Sequence, residues 1–393
     1  MTALADRSFE MILRNRVLFG VGAIVRLPDV VAAAGGPRAF VVTDPGVRGS
    51  GVIDRVLEVL AAAGIESGVF TDVEPNPGAS TVERGATALR DFGLEGTVVV
   101  PVGGGSSMDT AKALDLLAMN DAPLWDLGYD DPALTQGRPV VAVPTTAGTG
   151  AETNSFSVIT DEAAGRKGYI GHPSLLPVAT ILDPALTVGL PPPATAATGI
   201  DAMTHSLESL LSANPNPFTE AMALGVIRAI GEWLRRAVAD GSDLEARSQM
   251  LMASHLAGVG QASGTGVGLV HALGHSIGTR GKVARGTALA TVLPEVLRFY
   301  LGTRDRELAL VGIALGVGSG AESESTAAAA AIGAVDKLLR DLDQRPTLRR
   351  LGLGDEAAIG QLVTDTLDDA AIRNSPRLPT AAEATALLEA VTG

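Results

Sequence analysis

Cysteine is absent from the 393 residues, which removes disulfides, thiolate zinc sites, iron–sulfur clusters and thiol nucleophiles together. Any metal must therefore sit on His and carboxylate. Aromatic residues make up only 3% of the chain while Gly numbers 47, so the core has to be assembled from small, closely packed aliphatic side chains. That composition suits helices and parallel strands buried on both faces. Positive charge is also scarce: Lys and Arg total 30 against 44 Asp and Glu, a net charge of -14. This balance opposes broad contact with phosphate backbones or anionic membranes, so neither nucleic acid nor a membrane is an expected partner. Long apolar runs are missing too. No segment approaches the roughly 18 uninterrupted apolar residues of a membrane span. Met1 to Phe19 breaks its apolar residues with Asp6, Glu10, Arg14 and Arg16, which leaves no signal-peptide core. These absences predict a cytoplasmic protein.

What is present is length enough for two domains. The first half alternates short apolar runs with helical patterns, the mark of stacked βα units. Strands are predicted over Ala39–Thr43, Ser67–Phe70, Thr97–Val102, Val140–Val143 and Val178–Leu182, and helices over Ile53–Ala63, Val82–Phe92 and Ser106–Leu117. After Leu190-Pro191-Pro192-Pro193 the β-branched runs thin out, and Ala/Leu-rich stretches of helical spacing continue to Gly393. The expected architecture is an α/β nucleotide-binding domain over 1–190 followed by an all-α domain over 191–393. The stretch from Ala321 to Ala331 reads as a loop entering a helix.

Gly103-Gly104-Gly105-Ser106 falls between a predicted strand and a helix start, where backbone N–H groups and the helix dipole can hold a pyrophosphate. An ordinary tight turn would use the same residues, and the run is not G-x-G-x-x-G. A second loop, Pro144 to Glu152, mixes hydroxyls with glycines in a way that suits a phosphate and a ribose. Asp44 ends the first clear strand, where a carboxylate can accept from a ribose diol and repel a 2′-phosphate; a structural turn Asp is the alternative.

Of five His, three enter i,i+4 pairs in the helical half: Asp201 with His205, and His271 with His275. Each pair projects from one helix face. Together they form a nitrogen and oxygen set suited to Fe²⁺ or Zn²⁺, although either pair alone also fits a hydrogen-bonded helix surface. His172 is read as a loop residue and His255 as a helix-face residue, neither with an i,i+4 partner of this kind.

These segments, read in order, resemble the iron-containing (group III) alcohol dehydrogenase family, close in fold to glycerol dehydrogenase and dehydroquinate synthase. The resemblance runs over nearly the whole chain: Phe19-Gly20-x-Gly22, Asp72–Pro77, Gly103–Lys112, Pro144–Asn154, Gly199–His205 and His271–Pro294. It implies that Asp44 favours NAD(H) over NADP(H). It also implies that Asn76, Gly104, Gly105, Ser106 and Asp109 lie on the dinucleotide, with Thr145, Thr146 and Thr149 in the second loop and Lys167 near the nicotinamide ribose. Asp201, His205 and His271 match three of the family's four ligands to a divalent metal, Fe or Zn, and His275 matches a proton-relay position. The resemblance further implies a homodimer or larger homo-oligomer acting on a small alcohol, aldehyde or ketone.

The fourth ligand departs. Relatives run His-x-x-x-His, a loop, then Pro-His-Gly; here Arg285 precedes Gly286. Arginine is always protonated and offers only donors. Unit charges about 4 Å apart repel by roughly 4 kcal/mol at an effective dielectric of 20, and a divalent ion would feel about twice that. Ala262 and Gly264 also stand where relatives often carry Phe and Asn, which predicts a differently shaped pocket. The leading expectation is hydride transfer with a nicotinamide cofactor, Arg285 supplying the positive charge beside Asp201, and His275 or His271 exchanging the proton. Two alternatives stay open: a three-ligand Asp201/His205/His271 metal with Arg285 binding an anionic substrate group, and a nucleotide-binding sensor or subunit without catalysis.

Overall fold

The structure is a computed structural model that describes residues 15–129 and 131–393; the part of the Met1 to Phe19 leader reading that falls on residues 1–14 lies outside them. The described chain divides into two units, each assembled from separated stretches. One comprises 15–199 with Arg236–His255, the other Ile200–Arg235 with Leu256–Gly393.

In the first unit, six parallel strands form a sheet in the order β1-β8-β5-β4-β2-β3. They are β1 (Arg16–Phe19), β2 (Arg38–Val42), β3 (Glu66–Phe70), β4 (Thr97–Gly103), β5 (Val141–Pro144) and β8 (Ala179–Leu182), while β6 (Phe156–Asp161) and β7 (Arg166–Gly171) pair as an antiparallel hairpin. Helices α1 (Leu27–Ala33), α2 (Pro45–Gly49), α3 (Val52–Ala62), α4 (Ala79–Phe92) and α5 (Gly105–Met119) connect the first strands. Period-2 alternation decides which side chain goes where. Phe40, Val42 and Val99 join Val82, Ala86 and Leu89 of α4 and Leu114 of α5 in one core. Ala39, Val41, Val98 and Val100 join Leu27 and Val30 of α1 and Ile53, Val56 and Leu60 of α3 in another. Both faces are thus covered, which is why Thr97–Gly103 is buried at every position. With so few aromatics, contact is close: a Cβ on Gly85 of α4 would lie 2.7 Å from Leu114 Cδ2.

The strand order also fixes where a ligand belongs. From β2 the chain crosses to β3 on one side, and from β4 it crosses to β5 on the other. The carboxyl ends of β2 and β4 are therefore a topological switch point, the place where doubly wound sheets bind ligands. Asp44 and Gly103-Gly104-Gly105 sit there.

The rest of the chain is helical: α6 (Pro192–Leu211), α7 (Pro217–Ala239), α8 (Leu244–Gly260), α9 (Leu269–Gly281), α10 (Arg285–Phe299), α11 (Asp305–Ala314), α12 (Glu324–Asp341), α13 (Glu356–Asp368) and α14 (Ala381–Glu389). In the second unit, α9 and α10 approach so closely that a Cβ on Gly274 would lie 2.4 Å from Leu289 Cδ2. The alanine stretch ends as expected, with a bend leading into α12 through Ser323, whose hydroxyl accepts from the Thr326 N–H. Strand β1, the β6–β7 hairpin and the short helices α1 and α2 are additions to the sequence reading.

Candidate functional site

In the strand-rich unit the glycine-rich turn is shaped by its neighbours. Gly103 has a φ of +156°, and a Cβ there would lie 2.3 Å from Ser107 Oγ. A Cβ on Gly104 would meet Thr146 Cγ2 at 3.2 Å, and one on Gly105 would meet Thr149 Cγ2 at 2.6 Å. The glycines thus let two loops nest, the second anchored by the Thr145 N–H donating to Gly103 O at 2.9 Å. No side chain caps α5 at Gly104, so its first-turn donors face the switch point uncapped.

Asp44 is the N-cap of α2: Oδ1 accepts from the N–H groups of Gly46 and Val47 at 2.9 and 3.0 Å. Its Oδ2 accepts from Ser107 Oγ at 3.4 Å, which ties the carboxylate to the glycine turn. Asn76, in the left-handed region with φ 55°, accepts through Oδ1 from Lys167 Nζ at 3.1 Å, and the same ammonium donates to Thr160 Oγ1 at 3.0 Å. The hairpin that carries Lys167 is thereby fixed to the Asn76-Pro77 turn, as the Thr160 N–H donating to Pro77 O also shows.

Beneath the second loop is a lysine the sequence reading left unassigned. Lys112 of α5 is 1% exposed, and its ammonium donates to Ala151 O (2.9 Å), Asn154 Oδ1 (2.8 Å) and Phe156 O (2.6 Å). Asp109 lies 3.8 Å away. Burial pulls the ammonium down to about 8, with Asp109 and Glu152 opposing. His255 of α8, read as a helix-face residue, is buried with its Nδ1 3.0 Å from Glu152 Oε1. His172, likewise, lies in a loop but caps the short helix Pro173–Leu175, accepting at Nδ1 from the Ser174 N–H. A buried imidazole has to satisfy its nitrogens, which is why neither stands alone.

The helical unit holds the Asp and His cluster. Asp201, His205 and Glu208 share one face of α6; His271 and His275 share one face of α9. Asp201 Oδ1 lies 3.6 Å from His205 Nε2 and 3.5 Å from His271 Nε2, and the two imidazoles stack at 4.6 Å. Asp201 Oδ1 and His271 Nε2 are buried without a hydrogen-bond partner. Among the described residues, Asp201, His205 and His271 are the group whose ligand atoms lie close enough together for a metal. In donor type and spacing they fit a three-ligand site.

The fourth corner does not fit. Arg285, the first residue of α10, donates from Nε (2.9 Å) and Nη2 (2.8 Å) to Asp201 Oδ2. A cation at a helix N-terminus opposes the macrodipole, so the Asp201 carboxylate accounts for its being tolerated. Burial alone would push the Asp201 carboxyl up; Arg285, His205 and His271 together hold it far below the usual range. Burial drives His205 down to about 3, against the pull of Asp201. It also works to lower His271, but Glu208 and Asp201 raise that imidazole above its ordinary value.

Two further carboxylates complete the cluster. Glu208 Oε2 pairs with His271 Nδ1 at 2.6 Å, while Oε1 accepts from the N–H groups of Val270 and His271 and so caps α9. Asp369 Oδ2 pairs with His275 Nδ1 at 2.8 Å, and its Oδ1 caps the short helix Ala370–Asn374. Burial lowers His275, with Asp369 opposing. Glu208 was within reach of the sequence, since it extends the Asp201/His205 face by one more turn; Asp369 had no comparable signal. Gly264 takes a φ of 95° in the π-helical segment Gln261–Thr265, a backbone conformation that favours glycine.

Comparison with known proteins agrees with this geometry. Residues 14–184 match the family described as iron-containing alcohol dehydrogenase, and residues 195–392 match the C-terminal region of the Fe-containing alcohol dehydrogenase family. The chain belongs to the iron-containing alcohol dehydrogenase family. It is 36% identical over 368 residues to the probable alcohol dehydrogenase EutG of Salmonella typhimurium, covering 93% of this chain and 90% of that protein. It is 32% identical to the NAD-dependent methanol dehydrogenase of Bacillus methanolicus, covering 92% and 94% of the two chains. The crystal structure of a 1,3-propanediol oxidoreductase superposes with a TM-score of 0.93 at 35% identity, covering 98% of this chain and all of that one. As a member of this family the chain is an oxidoreductase enzyme, with an α/β domain followed by a helical one.

Proposed function

We propose that this family member interconverts a small alcohol and its aldehyde or ketone with NAD(H), and that the Arg285 guanidinium supplies the positive charge that relatives obtain from a metal. The observation that carries the second half is the two-point donation of Arg285 to Asp201. Arg285 is 26% exposed against 3% for Asp201, so the guanidinium is the member of the pair that a substrate oxygen can reach. Hydride transfer to a carbonyl carbon builds negative charge on the oxygen, and a preorganised cation stabilises it. His275, oriented by Asp369, or His271 exchanges the proton.

For the cofactor, the reading assigns Gly104, Gly105, Ser106 and Asp109 to the pyrophosphate side, Thr145, Thr146 and Thr149 to the second loop, and Lys167 with Asn76 to a ribose. Asp44 is assigned to the ribose diol, with NAD(H) preferred over NADP(H). Support comes from the switch point, the uncapped α5 and the NAD-dependent relative. A homo-oligomer, a cytoplasmic setting and a division near residue 190 belong to the same proposal; the last is supported by matched regions that end at 184 and resume at 195.

A second reading is favoured by the unpartnered Asp201 Oδ1 and His271 Nε2. Asp201, His205 and His271 would then hold Fe or Zn, which would supply Lewis-acid polarisation of the substrate oxygen, and Arg285 would bind an anionic substrate group. Metal analysis of the purified protein with NADH turnover over a panel of aldehydes and ketones separates the two. Turnover retained after chelation, with less than a tenth of an equivalent of Fe or Zn, is expected; stoichiometric metal required for activity would overturn the metal-free reading. If the protein is metal-free, Arg285→His should create metal-dependent turnover, whereas a large rise in KM confined to acidic substrates would support anion binding by Arg285.

A further inference from the structure

We propose that Lys112 is the positioning residue of the dinucleotide site, fixing the loop 144–156 by its carbonyl groups to the helix whose first turn forms the other half of that site. This rests on the reading that both loops hold the dinucleotide. An ammonium has three N–H donors, and here three short acceptors, Ala151 O, Asn154 Oδ1 and Phe156 O, lie on a single loop. Lys112 is thus directed at two backbone carbonyls and one side-chain amide of this segment.

Burying an ammonium is costly, and an apolar residue of the same length would fill the space more cheaply. What methionine or leucine would not supply is register. The loop enters its turn at Thr149, whose Cγ2 sits where a Cβ of Gly105 would lie 2.6 Å away. At that spacing a shift of a few tenths of an ångström changes how the Thr146 and Thr149 hydroxyls stand against the first turn of α5. The loop is gripped from two further sides: Asn15 Nδ2 donates to Glu152 O at 3.1 Å, and His255 of α8 meets the Glu152 carboxylate at 3.0 Å. Lys112 is the grip that comes from α5 itself, so it couples the two loops directly.

The test is Lys112→Met, which keeps the length and removes the donors. Amide exchange is followed by mass spectrometry in the cofactor-free enzyme, and steady-state kinetics are measured with NADH. Exchange across 144–156 is expected to quicken at least tenfold while that of α4 is unchanged. KM for NADH is expected to rise about 10- to 50-fold, with kcat at saturating NADH within threefold and the KM of the carbonyl substrate unmoved. Asn154→Ala, which removes one acceptor of the ammonium together with the acceptor of the Phe156 N–H, gives the same pattern at about 3- to 10-fold should the methionine variant fail to fold. A loop that exchanges at the wild-type rate, or an NADH KM that does not move although exchange quickens, overturns the proposal. Wild-type enzyme that binds no NADH would refute the dinucleotide reading instead, and the exchange measurement would still report whether Lys112 holds the loop.

Discussion

At the scale of single residues, the buried charges of the described residues differ in how fully they are compensated. Lys112, Glu208 and Asp201 each face opposite charge or several donors. Asp115, on α5 and fully buried, has the Arg138 N–H on Oδ2 at 2.7 Å and nothing on Oδ1. Burial therefore pushes its carboxyl up to about 8, against the Arg138 N–H. The folded value exceeds the unfolded one, so the folded state holds a proton that the unfolded state has released. Stability from this group is present in full below about pH 4 and is lost as pH rises through 8, with a limiting slope of about 1.4 kcal/mol per pH unit. Asp115→Asn keeps an acceptor for Arg138 without ionising. Melting temperatures of wild type and variant should therefore diverge steadily from pH 5 to 8, the variant becoming the more stable; parallel curves would show that Asp115 is ionised throughout.

At the scale of elements, the sequence was most legible where burial is two-sided. Thr97–Val102 reads as a strand because β4 is buried at all seven of its positions. Strand β1 escapes because it is mostly exposed, and the β6–β7 hairpin because Lys167, Gly168 and Gly171 dilute its pattern. The candidate site shows the same division. Asp201, His205, His271 and His275 stand out by spacing, whereas Lys112 lies in a helix, where lysine ordinarily marks a solvated face, and Asp369 finds His275 only through the tertiary fold. The glycine turn was legible as a joint between strand and helix, but its packing role was not. Gly105→Ala tests that role. Its Cβ forces Thr149 aside, so we expect at least a tenfold rise in NADH KM and a loss of about 1–3 kcal/mol of stability by denaturant unfolding. Gly225 of α7 has nothing within 4 Å of its would-be Cβ. Gly225→Ala should leave the KM unchanged and gain about 0.5–1 kcal/mol. Equal kinetic effects from the two substitutions would mean that loop nesting does not shape the cofactor site.

At the scale of the whole molecule, a net charge of -14 surrounds a site assigned to an anionic dinucleotide. On that assignment the uncapped N-terminus of α5 and the Lys167 ammonium would attract the ligand at close range, but an approaching NADH first meets the summed field, which is repulsive. Added salt shortens the reach of that field from about 30 Å at 0.01 M to about 8 Å at 0.15 M, while contacts inside a closed site are screened far less. The association rate of NADH, followed by stopped-flow fluorescence, should therefore rise with NaCl over this range, by about 2- to 5-fold, with the dissociation rate changing less. Nucleotide sites in basic surroundings behave the opposite way. An association rate that falls with salt would show that the local positive groups reach further than the acidic surface, and would place the controlling electrostatics in the two loops themselves.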